Sequence, residues 1–191
     1  MLFKQAPVLQ HPDAFLRPIQ ADDLANWAAY LRDPLVYRHT SWNLQSLAEL
    51  EPYIAPNQTR QPDSALRMAL ACPRSNALLG TIGFHTVSSL NKSAELAYDL
   101  APGSWGKGIA TAATTAMTAW AHAHAGMIRV QATVLETNTR SMAVLARCGF
   151  QAEGLLRCYR QVRGQAGNFM MYSHILTRQA GESPPPEQET A

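Results

Sequence analysis

Pro102 to Ala125, P-G-S-W-G-K-G-I-A-T-A-A-T-T-A-M-T-A-W-A-H-A-H-A, sets a glycine-rich turn directly against the start of a helical pattern. Such a junction has the chemistry of an anion site. Gly106 and Gly108 carry no side chain to block a ligand, and the amides of a first helical turn lack intrahelical acceptors, so several donors converge on one point. Lys107 can add a full positive charge. Two better-known phosphate loops are excluded. A P-loop needs Ser or Thr after the lysine and a glycine at position 101, where this chain has Gly108 and Ala101; a dinucleotide fingerprint needs glycine at position 111, which is Thr111.

Groups able to move a proton precede the turn. Glu95 and Asp99, in A-E-L-A-Y-D, are four apart on a strand-like run and so share one face. Glu95 is the first candidate base, and an ion pair with a basic side chain across the sheet is the equal alternative. Asp99 is the second candidate. His85 has a suitable intrinsic pKa, although a lone strand histidine is more often structural. Tyr98 reads as a packing residue. His122 and His124 are two apart and do not share a helix face, so they are not a metal pair. Cys72, Cys148 and Cys158 lack C-x-x-C spacing, which indicates neither a zinc cluster nor a disulfide framework.

These residues need elements to hold them. Ile109, Ala113, Ala116, Met117 and Trp120 recur at three- and four-residue spacing, the pattern of a helix packed on a sheet, with Gly126 placed to end it. Three strand-like runs lead into the turn: Leu66 to Ala71, Leu78 to Val87 and Ala94 to Leu100. Ile128 to Leu135 alternates as a strand with two unlike faces. Asn138 is a good N-cap for a second helix, into which Met142, Leu145 and Cys148 can pack, and Gly149 is a good C′ residue before Phe150. Strands at Gln151 to Val162 and Asn168 to Leu176 follow, with a turn from Gly164 to Gly167 between them. Near the start, Phe15 to Ile19 reads as a strand. Asp22 and Asp23 open a helix with Leu24, Trp27, Ala28 and Leu31 on one face, and a further helix runs from about Ser46 to Ile54. Asn57 to Asp63 reads as a loop.

With 191 residues, 47% of them hydrophobic, the chain suits one well-buried domain, bounded by a loosely held arm at 1–13 and a proline-rich tail at 179–191 too polar to fold alone. A net charge of +2 argues against DNA or an anionic membrane as the main partner, and Arg157, Arg160 and Arg163 read as a solvated strand edge before a basic patch. No run approaches the ~20 apolar residues that span a bilayer. The free cysteines and the lack of a signal-peptide core fit a cytoplasmic location.

The turn at Trp105 to Thr111 resembles the pyrophosphate loop of the GNAT acyltransferases, Q/R-x-x-G-x-G/A. Trp105 takes the place of Gln/Arg, as in the W-G-x-G-x-A-T form of the RimJ and RimL ribosomal-protein acetyltransferase branch. Asn138, Ser141, Leu145, Gly149 and Phe150 match the same family's N-x-x-S-x-x-x-L-x-x-x-G-F at every fixed position. The resemblance covers Phe15 to Leu176. It implies a mixed α/β domain at 14–178: a central, mostly antiparallel twisted sheet of about seven strands, splayed between the fourth and fifth, flanked by about four helices.

It also implies acetyl-CoA as cosubstrate and no metal. The pyrophosphate would lie on the amides of Gly106, Lys107, Gly108, Ile109, Ala110 and Thr111, and the pantetheine beside Leu100 and Asn138 as an added strand. The Leu100 N–H would face the developing oxyanion. Ser141 stands at the position of a thiolate proton donor, while Arg160 stands where the companion glutamate would be. Thr133 and Leu145 replace another acid/base pair of the family. Ala112, Ala97 and Asn168 replace a common Glu, Gly and Asp, which leaves the acceptor open. The implied function is N-acetyl transfer to a primary amine, a protein N-terminus or a small molecule, by direct attack in a ternary complex. The missing acid/base pair gives the alternative of a catalytically degenerate acyl-CoA-binding regulator. A third reading is an RNA-associated module using Arg157 to Arg163. A flat last strand could pair in a homodimer.

Overall fold

In the computed structural model, residues 7–54 and 63–177 are described. The loop read over Asn57 to Asp63 lies outside them apart from Asp63, as do the first six residues and the tail. The elements are β1 (Phe15–Pro18), α1 (Asp23–Leu31), α2 (Pro34–Tyr37), a 3₁₀ helix (Leu47–Tyr53), β2 (Leu66–Ala71), β3 (Leu78–Ser88), β4 (Ser93–Leu100), a 3₁₀ turn (Pro102–Ser104), α3 (Ile109–Ala125), β5 (Arg129–Leu135), α4 (Thr139–Arg147), β6 (Gln151–Val162) and β7 (Gln165–Ile175). The strands form one seven-stranded sheet in the order β1-β2-β3-β4-β5-β7-β6, antiparallel except for β4 with β5. No helix among the described residues is long and apolar enough to cross a membrane.

The two faces of the sheet bury different helices. On one, Ala94, Leu96 and Leu100 of β4 pack with Ile109, Ala113, Met117 and Trp120 of α3 and with Leu145 of α4. On the other, Trp27, Leu31 and Leu50 pack against Ala69 and Leu78. This follows from the period-two alternation of the strands meeting the 3.6-residue stripe of each helix.

Four local expectations change. The helix read from Ser46 to Ile54 is a 3₁₀ helix over Leu47–Tyr53, with Pro52, which donates no N–H, inside it. The connection after Asp33 contains the short α2, started by the Asp33 side chain accepting from the Leu35 N–H and by Pro34 at its first position. The turn read over Gly164 to Gly167 is the two-residue loop Arg163-Gly164, both at positive φ (52° and 79°), which matches the twist of a tight hairpin. The segment read as a loose arm lies against the domain from Pro7 onward. Pro7 is buried, Leu9 packs on the larger core, Ala14 is 1% exposed, and His11 bonds to the glycine turn.

Candidate active site

The parallel pairing of β4 with β5 ends early. Ser93, Ala94 and Glu95 pair with Arg129, Val130 and Gln131, yet β4 continues to Leu100 and β5 to Leu135. Beyond Glu95 the strands part. Ala101 donates its N–H to the Leu79 carbonyl, which makes Leu100 and Tyr98 non-hydrogen-bonded positions relative to β3. Their main-chain groups therefore point into the gap. The Leu100 carbonyl accepts from the Trp105 indole N–H at 2.9 Å, leaving its N–H directed to the splay.

A cavity of about 1080 Å³ runs along this gap, from the glycine turn to the start of α4. Gly106, Gly108, Ile109, Ala110 and Thr111 line one end, Tyr98 and Leu100 the middle, and Asn138, Arg140 and Ser141 the far wall. Gly106 and Gly108 have φ of 74° and 79°, a left-handed conformation that favours glycine, and a Cβ on Gly106 would meet nothing within 4 Å. The turn is thus an open cradle at the N-terminus of the 17-residue α3. Its unpaired amides and helix dipole suit a diphosphate, and the parted strand edges suit an extended amide chain. The residues present fit CoA.

Most of the expected cofactor residues are brought together here, with two differences. Lys107 is exposed and is not among the residues lining the cavity; its carbonyl faces away, toward His11. Asn138 is engaged at both ends of its amide. Its Oδ1 accepts from the Ser141 N–H at 3.1 Å, capping α4, and its Nδ2 donates to the His39 carbonyl at 3.1 Å. It therefore ties α4 to the segment after α2.

Ser141 lines the cavity, and its carbonyl lies 3.5 Å from the Tyr98 hydroxyl. Burial pushes the Tyr98 phenol up to about 12, so it is a neutral donor at working pH. Glu95 lies at the apex of the splay and is 4% exposed. It is not among the cavity's lining residues. Its carboxylate accepts from Thr133 Oγ1 at 2.6 Å and from Arg160 at 2.9 Å, with His85 Nε2 at 3.2 Å. Burial raises its pKa, but the hydrogen bonds from His85 and Thr133 and the charges of His85 and Arg160 outweigh this and hold it at about 2. Of the two readings of Glu95, the geometry favours the ion pair.

Asp99 is also committed. It accepts from Trp27 Nε1 (3.2 Å), Tyr30 Oη (2.5 Å) and Thr81 Oγ1 (2.9 Å), and pairs with the buried Arg67 guanidinium. Trp27, Trp42 and Tyr53 surround that guanidinium with ring centroids 5.5 to 6.0 Å from it. His122, rejected above as half of a metal pair, bonds instead to the Met127 carbonyl and to His174. Among the described residues there is no group of three or more His, Cys, Asp or Glu that could hold a metal ion.

Sequence reasoning missed three side chains. Arg140 and Arg147 both line the cavity and stand seven apart on α4, a spacing that places them on one face and could have been read. Arg140 also stacks over the Trp105 ring at 4.9 Å, which joins the aromatic in the glycine turn to the second motif. His39 lines the cavity; burial, then the charges of Arg38 and Arg140, lower its pKa and so favour the neutral ring. No local pattern marked it.

The sequence model of the Acetyltransferase (GNAT) domain matches residues 14–151. The uncharacterized N-acetyltransferase YoaA of Bacillus subtilis is 28% identical over 177 residues, which is 91% of this chain and 99% of that protein. Among solved structures, Mycobacterium smegmatis RimJ in complex with CoA-disulfide superposes with a TM-score of 0.70 at 24% identity, covering 85% of this chain and 82% of that one. Spermidine N-acetyltransferase from Vibrio cholerae, in complex with CoA and spermine, superposes with a TM-score of 0.73 at 18% identity, over 85% and 95%. The glycine cradle, the strand splay and the match across most of the domain agree, and this chain belongs to the GNAT family of acetyltransferases.

Proposed function

We propose that the chain transfers an acetyl group from acetyl-CoA to an α-amine, at a peptide N-terminus or on a small molecule, by direct attack in a ternary complex. The carrying observation is the cavity that joins the amides of Gly106 to Thr111 with the open edge of β4 at Leu100 and with Ser141. Acetyl-CoA supplies an activated thioester. The chain's part is to bind the pyrophosphate at the glycine turn, hold the pantetheine along β4 and α4, and direct the Leu100 N–H at the oxygen that gains charge. Ser141 and the neutral Tyr98 phenol supply hydroxyls near the departing sulfur.

The preference for an α-amine rests on the state of the carboxylates. Glu95 is held at about 2, far from an amine's range, and the Asp99 carboxylate is spent on four side-chain donors, Trp27, Tyr30, Thr81 and Arg67. An α-amine of pKa ~8 is already ~10% neutral at pH 7, whereas a lysine-like amine of pKa ~10.4 is only ~0.04% neutral. The first needs no base to become nucleophilic, and as the C–N bond forms and the C–S bond breaks the proton it sheds goes to the departing thiolate, directly or through the Ser141 hydroxyl. Glu95 then acts as a fixed anion that orders Arg160 and Thr133 on the acceptor side.

The test is thermal stabilisation by acetyl-CoA followed by thiol release with α-amino and ε-amino acceptors. Stabilisation is expected, with thiol release faster for α-amines. Absence of stabilisation refutes CoA binding. Stabilisation without thiol release from any acceptor favours a CoA-binding regulator, the reading that the replaced acid/base pair at Thr133 and Leu145 supports.

A further inference from the structure

The segment before β1 reaches the glycine turn through one side chain. His11 Nε2 lies 2.8 Å from the Lys107 carbonyl oxygen, and the Asp13 main-chain N–H donates to His11 Nδ1 at 3.1 Å. The two bonds fix the ring's tautomer. Nδ1 must accept, so Nε2 carries the proton and donates to Lys107.

That donation sets the direction of a peptide plane. In a trans peptide the C=O of one residue and the N–H of the next point to opposite sides, and the described chain has no cis bonds. With the Lys107 carbonyl drawn toward His11, the Gly108 N–H points the other way, to the side where Gly106, Gly108 and Ala110 line the cavity. The plane would otherwise turn easily. Rotating it changes ψ of Lys107 and φ of Gly108, and glycine adopts φ of either sign at little cost. The freedom that lets Gly108 sit at φ 79° thus leaves its N–H without an intrinsic direction.

The clasp has a firm base. Leu9 packs on the larger core, Ala14 is 1% exposed, and β1 begins at Phe15. A Cβ on Gly108 would lie 3.8 Å from His11 Nε2, so the ring stands directly behind the turn.

We propose that His11 is a positioning residue for the diphosphate of the acyl donor: its bond to the Lys107 carbonyl holds the Gly108 N–H toward the ligand. The inference rests on the reading that the glycine turn binds the pyrophosphate of CoA. It adds a residue outside both sequence motifs, from a segment of the chain that sequence analysis treated as loose.

The test compares the full chain with H11A, H11N and H11Q by calorimetric titration with CoA and by kinetics with acetyl-CoA and with acetyl-pantetheine, which lacks the diphosphate. Glutamine can place an N–H donor near the position of the imidazole Nε2, and asparagine falls one bond short. H11A and H11N are expected to bind CoA about tenfold more weakly, the effect of one hydrogen bond. Their KM for acetyl-CoA should rise in step with kcat and acceptor KM unchanged. H11Q should recover to within about twofold, and kcat/KM for acetyl-pantetheine should be the same in all four proteins. Melting temperatures without ligand identify a variant that loses affinity by unfolding, and the H11N and H11Q pair, both lacking the ring, remains informative in that event. Wild-type binding of CoA with H11A within twofold of it overturns the clasp alone, as does equal loss toward acetyl-pantetheine. Failure of the wild-type chain to bind CoA overturns the acyl-transfer reading as well.

Discussion

Replacing Glu95 by glutamine separates a base from a fixed anion. The carboxylate is 4% exposed, and Thr133, Arg160 and His85 hold it at about 2. Taking a proton from an ammonium of pKa ~8 would then be uphill by about six pKa units, roughly 8 kcal/mol. Drawing on the neutral amine already present at pH 7 costs only ~1.4 kcal/mol, so the second route wins. The kcat/KM profile of E95Q should therefore keep the rising limb of the wild type, set by the amine, even where its absolute value falls.

The same substitution has a stability consequence with a defined sign. The folded pKa lies below the ordinary 4.5, so the carboxylate's bonds stabilise the fold above about 4.5 and lose that contribution as pH drops toward about 2. The interval corresponds to at most roughly 3 kcal/mol, a ceiling because Arg160 and His85 are partly solvated. E95Q should melt about 4–10 °C below wild type at pH 7, with the gap narrowing toward pH 3. Melting curves at the two pH values and a kcat/KM profile from pH 5.5 to 9 measure both effects. A wild-type limb near pH 6 to 7 that vanishes in E95Q would refute the reasoning, as would equal stability at pH 7.

Two further substitutions probe the walls of the site. R140A removes the cation stacked on Trp105 and a positive charge from the cavity, so KM for acetyl-CoA should rise about 5- to 10-fold, more at low salt, with acceptor KM unchanged by steady-state kinetics. D99A strips the buried Arg67 of its carboxylate and removes the acceptor of Trp27, Tyr30 and Thr81, so it should cost about 3–5 kcal/mol in urea unfolding, and D99N, which keeps one acceptor oxygen, should cost less; a loss below about 1 kcal/mol in D99A contradicts the buried pair.

The parts of the fold legible in the sequence were those written in short spacing. Glycines at 106 and 108 announce positive φ, Asn138 three residues before Ser141 announces a cap, and the alternation from Ile128 to Leu135 announces a two-faced strand. Glu95 was recognisable as important but its state was not, because its partners Thr133 and Arg160 lie 38 and 65 residues away and only the closed sheet brings them together. His11 was invisible for a related reason. Its role depends on a carbonyl 96 residues distant, and a main-chain acceptor has no residue type to betray it. The Leu47–Tyr53 segment was legible as a helix but not as a 3₁₀ one, because over so few residues its apolar spacing suits either type.

Arg163, at the left-handed tip of the β6–β7 hairpin, donates to the carbonyls of Tyr37 and Thr40 at 3.0 and 2.9 Å and stacks its guanidinium 4.2 Å from the Tyr37 ring. The rim after α2 is thus moored to a hairpin encoded more than a hundred residues later and remote in sequence from the glycine turn. A change in that hairpin's length or tip would shift the part of the cavity wall made by Val36, His39 and Thr40, and through the His39 carbonyl it would reach Asn138 but not the glycine turn directly. Under the proposed function, selectivity for the amine would drift chiefly through such distant moorings of the wall, with the glycine turn left as it is.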